Sequence, residues 1–409
     1  MKVIEVNGGI PLFGEVNISG SKNAALPVIF ATLVARGKNR IEGIPKIGDT
    51  QVALDIIRSL GAEISREGNT LIIDTENVEY SELDRAHTSK IRASTYLLGS
   101  CLGRFAECRL CDFGGCAFSD RPIDMHIQAC EAFGGKIDKN VIKAPSLHSA
   151  DVTFGKPSVG ATINALILAA SVKGKSTVSG FAKEPHVLSL CDFLRSAGAK
   201  IEIDGEKITV CGGDLHGGDT KIIPDMIEAG TYLSAAVVTG GEVTVRGADP
   251  THLEAFLSAL ESMGASLSFG GNSISAKAPR SPQKVNVRAQ AYPGFPTDLQ
   301  PIIAPSLAVC RGGNILDTVW RERYGYLEVL TSFGVKYKMT DGGAQILRSS
   351  LKSASVSAPD LRGGMAAVLC ALGAFGKSRI GCAEYILRGY EDLSKKLGGL
   401  GAKIKIFDE

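Results

Sequence analysis

A helical pattern of apolar residues that stops at a glycine recurs six times along the chain. The stops are Gly61, Gly134, Gly198, Gly264, Gly334 and Gly401, at steps of 73, 64, 66, 70 and 67 residues. Each suits the position just past a helix end, where the left-handed backbone disfavours any side chain. A short strand pattern follows, as at 63–66, 200–204 and 403–406. Upstream of every stop lies another apolar helix with a polar start. The six starts fall near Lys22 and Asn23, Arg92 to Ser94, Ser158 to Gly160, Glu228 to Gly230, Thr297 and Asp298, and Asp360 to Arg362. A strand joins the two helices, as at 40–43, 177–180 and 243–247. The unit is therefore helix, strand, helix, strand, strand, used six times. A period this long, with its own strands, fits a compact α/β unit better than a short solenoid repeat. Three units bundled around their buried helices make one domain, which predicts an α/β protein of two similar domains.

Composition narrows what such a protein can do. The 409 residues are ample for two or three domains with real cores. Lys and Arg total 45 against 43 Asp and Glu, and no dense basic run occurs, which argues against wholesale nucleic-acid or polybasic membrane binding. The first residues lack the apolar core and cleavage site of a signal peptide. The longest apolar run, near 161–172, is too short to span a bilayer and contains Asn164. A soluble, cytoplasmic protein is expected. Its ten cysteines then read as free thiols, with Cys101, Cys130, Cys191, Cys310 and Cys370 in apolar helical patterns that place them in the core. Cys108, Cys111 and Cys116 lack the second Cys pair or His pair of a structural zinc site. The Gly-Lys-Ser runs at 174–176 and 376–378 carry Ala169 and Ala371 where a phosphate-binding loop needs its first glycine. Dinucleotide and ATP chemistry are set aside.

The chemistry concentrates at 113–126. Gly114 and Gly115 precede Cys116, Arg121 follows five residues later, and Pro122 opens a helical pattern. Glycines free a loop to open and close, and an arginine at a helix start adds charge to N–H groups that already favour anions. The stretch reads as a lid carrying a thiol and an anion clamp; the alternative is a Gly-rich turn with an incidental cysteine. If the first helices of the repeats align, their positive ends sum. Lys22, Arg92, Arg121, Arg362 and Arg388 lie near such starts or in adjoining loops. Singly each suits a solvated surface charge; at matching places in several repeats they favour phosphate binding.

These motifs carry a family resemblance. The segments 19–27, 114–122, 158–162 and 295–298, together with Asp360 to Arg362 and Arg388 to Tyr390, resemble those of the UDP-N-acetylglucosamine 1-carboxyvinyltransferases. These are enolpyruvyl transferases related to 5-enolpyruvylshikimate-3-phosphate synthase, and the similarity runs the whole chain in order. It implies two inside-out α/β barrels of three repeats each, with the active site in the interdomain cleft. One domain would span 21–224 and carry the Cys116 lid; the other would join 1–20 to 225–409. The implied reaction moves the enolpyruvyl group of phosphoenolpyruvate to the sugar 3-hydroxyl through a tetrahedral phosphate ketal, with no metal or organic cofactor. Its small-molecule partners are phosphoenolpyruvate and UDP-N-acetylglucosamine. Lys22, Arg121 and Arg388 resemble the holders of the phosphate, with Arg92 and Arg362 adding positive charge. Cys116 resembles the proton donor to the methylene carbon, which is also the thiol alkylated by fosfomycin. Asp298 resembles the carboxylate against the acceptor hydroxyl, as base or orienter, and its local alternative is a helix cap. Asn23 and Asp360 resemble residues lining the reaction centre. Arg121, Pro122, Ile123, Asp124 and Met125, and the segment holding Lys156, Ser158, Val159 and Gly160, resemble the two grips on the UDP part. Val319 belongs to a loop that approaches the uridine end. Asp225 and Glu184 fall at family-like positions, with structural salt bridges as the alternative.

Departures occur at the periphery. Tyr385 and Leu387 stand where the family has a histidine and an acid before the Arg388 motif. Trp320 replaces a phenylalanine, and Arg321 to Tyr324 replace Glu-Asn-Arg-Phe. Two further readings therefore stay open: a divergent paralogue using another nucleotide or sugar acceptor, and a non-catalytic UDP-sugar-binding protein.

Overall fold

The computed structural model describes residues 1–81, 83, 85–109, 114 and 122–409. Cys116 and Arg121 lie outside the described residues. The chain forms two compact units, one built from Met1–Ser19 with Pro224–Glu409 and the other from residues between 20 and 223.

The 20–223 unit is organised around the helices Lys22–Ala31, Leu97–Phe105 and Val159–Ser171. Residues 24–31 and 161–170 are buried without a break, so these helices are apolar on every face. Such a helix is stable only when other elements enclose it. Leu97–Phe105 contacts both of the others, and the helices Gly48–Ser59, Asp124–Ala132 and Pro185–Ser196 pack against this centre. The other unit repeats the plan with Met226–Thr239, Gln300–Val309 and Leu361–Gly373, each touching the other two. Of the cysteines assigned to the core, Cys101, Cys130, Cys191, Cys310 and Cys370 are all buried.

Every repeat has the same strand order. The strand between the helices and the strand after the glycine stop both pair antiparallel with a third strand between them. In the first repeat Lys38–Glu42 and Glu63–Glu67 flank Thr70–Asp74. In the sixth the middle strand comes from the start of the chain, where Lys2–Gly8 lies between Gly376–Gly381 and Lys403–Asp408. Asp219–Lys221 likewise returns to pair in parallel with Lys38–Glu42. The strands that lead into the two crossings, Phe13–Asn17 and Asp219–Lys221, are each tied into a sheet by parallel pairing. Five sheets have four strands; the second repeat has three among the described residues. No helix among them is long and apolar enough to cross a membrane.

All six stop glycines adopt the left-handed conformation, with φ of 98°, 96°, 110°, 94°, 87° and 96° in chain order. The helix starts differ in detail from the pattern. The fourth central helix begins at Met226, capped by Asp225, two residues ahead of the expected Glu228. The second and fifth open as 3₁₀ turns, Arg92–Tyr96 and Thr297–Leu299, before the α-helix proper.

Gly401 and Gly334 separate conformation from crowding, because both lie in one unit. A Cβ at Gly401 meets nothing within 4 Å, whereas one at Gly334 falls 2.8 Å from the Ser350 carbonyl oxygen. Gly401→Ala should cost about 1–2 kcal/mol for the left-handed backbone alone. Gly334→Ala should cost at least about 1 kcal/mol more. Urea unfolding compares them, and equal losses would remove the crowding argument.

Candidate active site

In the 20–223 unit, Lys22 is the first residue of its helix and its Nζ lies 3.0 Å from Asp49 Oδ2. Asp49 sits in the first turn of Gly48–Ser59 and is 3% exposed. A buried carboxylate is sustained by such a pairing, and here it fixes where the ammonium sits. Asn23 follows, half-buried; Arg92, half-buried, opens the 3₁₀ turn.

Three further starts are gathered by one amide. Asn164, fully buried, donates to the carbonyls of Thr95 (3.1 Å) and Gly160 (3.2 Å). It also bonds His126 Nδ1 at 2.8 Å, and its oxygen accepts the Gly99 N–H at 2.7 Å. Since the amide nitrogen donates to Nδ1, that ring nitrogen is the acceptor. A Cβ on Gly160 would come within 2.4 Å of the His126 ring, so the close approach requires glycine. The two expected UDP grips are thereby brought together. Ser158 caps its helix through the Ala161 N–H at 3.4 Å, with Val159 half-buried and Lys156 exposed. On the other grip Pro122 and Asp124 are exposed, and Ile123 and Met125 are half-buried. Glu184 stands just before Pro185–Ser196.

The other unit gathers charge around Asp298. Its side chain does not cap the helix: Pro296 occupies the N-cap position of the 3₁₀ turn. The carboxylate instead accepts from Arg323 Nη1 at 2.8 Å and from Arg362 through Nη2 at 3.1 Å and Nε at 3.3 Å. Both arginine side chains are nearly buried, whereas that of Asp298 is 31% exposed. Burial disfavours the Arg362 charge, but Asp298, with Tyr390 and Asp225 beside it, more than offsets this and holds its pKa above the ordinary value. Arg362 lies 5.7 Å from the Tyr390 ring centroid and reaches the Tyr390 hydroxyl at 3.4 Å. That hydroxyl bonds Thr231 on the next central helix at 2.8 Å.

The network continues on the other side. Arg323 Nη1 also reaches Thr297 Oγ1 at 3.2 Å, and Thr297 donates to the buried Asp317. Asp317 Oδ1 accepts the N–H groups of Val319 (2.9 Å) and Trp320 (2.8 Å). Tyr324 accepts the Asp317 N–H at 2.8 Å and donates to the Ile315 carbonyl. Asp360 caps Leu361–Gly373 by accepting the Arg362 and Gly363 N–H groups on one oxygen, at 2.8 and 2.9 Å. Asp225 caps Met226–Thr239 in the same way. Arg388 is half-buried after the short Glu384–Leu387 helix, on which Leu387 is half-buried and Tyr385 exposed.

Asp49, Asn164, Thr297, Asp317 and Arg323 were not singled out by sequence as site residues. Asp49 carried a usable signal, an acid at a helix start. The others act across 20 to 69 residues, where only the fold reveals the partner.

The family EPSP synthase (3-phosphoshikimate 1-carboxyvinyltransferase) matches residues 6–397. The chain belongs to this family of enolpyruvyl transferases. It is 38% identical to UDP-N-acetylglucosamine 1-carboxyvinyltransferase of Clostridium botulinum over 99% of both chains. Identity to a Staphylococcus aureus UDP-N-acetylglucosamine 1-carboxyvinyltransferase 2 is 36% over 98% of both. Among solved structures, the enolpyruvyl transferase NikO from Streptomyces tendae is similar with a TM-score of 0.88 at 25% identity, covering 99% of this chain and 98% of that one. EPSP synthase from Acinetobacter baumannii shares the fold over the full length of both, with a TM-score of 0.73 at 16% identity.

Asn164→Leu tests the gathering amide. It keeps the volume but leaves the buried Gly99 N–H without its acceptor and removes the side-chain bonds to His126 and the Thr95 carbonyl, which should cost roughly 2–4 kcal/mol in urea unfolding. A loss below about 0.5 kcal/mol would mean these bonds contribute nothing net.

Proposed function

We propose that this protein transfers the enolpyruvyl group of phosphoenolpyruvate to the sugar 3-hydroxyl of UDP-N-acetylglucosamine and releases phosphate, the committed step of peptidoglycan synthesis, in the cytoplasm. The observation that carries this reading is the Asp298 carboxylate, one-third exposed and aimed by two buried guanidinium groups. It stands at the residue that the family sets against the acceptor hydroxyl.

The acceptor oxygen adds to C2 of phosphoenolpyruvate while a proton reaches C3, which gives the phosphate ketal. Loss of phosphate from C2 and of a proton from C3 then restores the double bond. In this assignment Cys116 supplies the proton to C3 and Asp298 takes or orients the hydroxyl proton. Lys22, Arg121 and Arg388 hold the phosphate, and Asp49 keeps the Lys22 ammonium in place. Arg92 and Arg362 add positive charge that stabilises the developing anion. Asn23 and Asp360 line the reaction centre, the latter with the carboxylate oxygen its cap does not use. The UDP part is taken by Arg121, Pro122, Ile123, Asp124 and Met125, and by Lys156, Ser158, Val159 and Gly160. Val319 belongs to the loop assigned to the uridine end, and its N–H is committed to Asp317.

Incubation with both substrates should release phosphate in proportion to UDP-N-acetylglucosamine. Lys22→Ala should lower kcat/KM for phosphoenolpyruvate by about 10²-fold, since a charge-assisted phosphate contact is worth a few kcal/mol. UDP-sugar affinity should change less than about threefold. Release with a different nucleotide or sugar in an acceptor panel, and none with this one, would select the divergent-acceptor reading. UDP-sugar binding with no release from any acceptor would indicate a non-catalytic binder.

A further inference from the structure

A buried polar cluster lies where the chain leaves the unit formed by 1–19 and 224–409. Ser19 is its last residue before the first crossing, and every polar group of Ser19 is bonded. Its N–H donates to Glu228 Oε2 at 2.7 Å, and its carbonyl accepts the Asp225 N–H at 2.9 Å. Its hydroxyl donates to Glu391 and accepts from Lys396 Nζ at 2.7 Å. Lys396 closes the ring with a 2.6 Å contact to Glu228 Oε1. One ammonium therefore joins three parts of the chain: the first turn of Met226–Thr239, the segment leading out at Ser19, and, through the Ser19 hydroxyl, Glu391.

The acid and ammonium at its centre are enclosed, with Ser19 and Glu391 half-buried. Glu228 is 2% exposed, and the Lys396 and Glu228 side chains are 14% and 3% exposed. Burial pushes the Glu228 carboxyl up to about 7, against the opposing pull of Lys396 and of the Ser19 N–H; Asp225 adds to the rise. A buried acid and ammonium at this cost add little to stability over an apolar pair, so a more specific role accounts for them better. Their place in the sequence indicates that role. Ser19 precedes Lys22 by three residues, and Glu391 follows Arg388 by three. Lys22 and Arg388 are two of the three residues assigned to the phosphate.

We propose that Lys396 and Glu228 are positioning residues for phosphate binding. Their clasp on Ser19 and Glu391 fixes the two backbone segments that lead to Lys22 and from Arg388. Neither residue touches substrate. This inference rests on the proposed function for its kinetic consequence, but the clasp itself can be read without any activity.

Lys396→Met and, as a second variant should the first misfold, Glu228→Gln test it; Lys396→Arg is the conservative control. Hydrogen exchange on the folded proteins should quicken in peptides covering 15–22 and 386–396, with peptides from the central helices Gln300–Val309 and Leu361–Gly373 unchanged. In steady state, Lys396→Met should raise KM for phosphoenolpyruvate about tenfold, the equivalent of one lost charge-assisted contact. The kcat should change less than about threefold, and Lys396→Arg should recover most of the loss. Unchanged exchange in both peptides of a folded variant would overturn the clasp. So would equal falls in kcat and kcat/KM that Lys396→Arg does not recover. Absence of phosphate release by the wild-type protein would overturn the enolpyruvyl-transfer reading instead, while the exchange result still decides the clasp.

Discussion

Central helices that are apolar on every face constrain everything else in this protein. Residues 24–31, 161–170 and 361–372 are buried without interruption, so the middles of these helices hold few polar side chains. Arg362 and Asn164 are exceptions, and each is surrounded by partners within a turn or two of a helix start. Chemistry is thus confined to the helix ends, where unpaired N–H groups and the positive end of the helix dipole already favour anions. Lys22, Arg92, Ser158, Asp225, Asp298 and Asp360 all occupy such ends. Repetition of one helix-strand unit therefore yields repeated anion-seeking positions in a chain with a net charge of only +2.

At one of these ends the side chains form a continuous line. It runs from Asp317 through Thr297, Arg323, Asp298, Arg362 and Tyr390 to Thr231. Two buried guanidinium groups need a carboxylate, and an acid between them loses the freedom to rotate away. Asp298 is therefore held in one orientation, and under the proposed function this would place it for an incoming hydroxyl before that group arrives. Asp317 fixes the backbone of Val319 and Trp320 in the same stroke, so the loop carrying them is tied, through Thr297 and Arg323, to the Asp298 carboxylate.

The repeat was legible because its signals are local. A glycine past a helix end and a strand two residues on need no partner elsewhere in the chain. Helix starts were legible to within about two residues, the usual fraying of such boundaries. The fourth was placed at Glu228 because its true cap, Asp225, follows a proline and reads as linker. Asp298 and Arg362 were singled out at helix starts and given roles by resemblance, but their mutual contact spans 64 residues and no periodicity encodes it. Arg323 was hidden in a segment read as peripheral drift. Part of that drift is structural, because the Tyr324 hydroxyl bonds the backbone of Ile315 and Asp317. Tyr385 and Leu387 carry no comparable side-chain bond among the described residues, and the structure offers no reason for them.

The most direct test of this account is the turnover of Asp298→Asn with phosphoenolpyruvate and UDP-N-acetylglucosamine both saturating. The substitution keeps the shape and a hydrogen-bonding oxygen while removing the charge that two arginines hold in place. The account predicts that kcat falls by about 10²-fold or more, the usual scale for losing a positioned proton acceptor, in a protein that still binds the UDP-sugar. A kcat within about threefold of wild type would contradict it, and would leave Asp298 as no more than the counter-ion of Arg323 and Arg362.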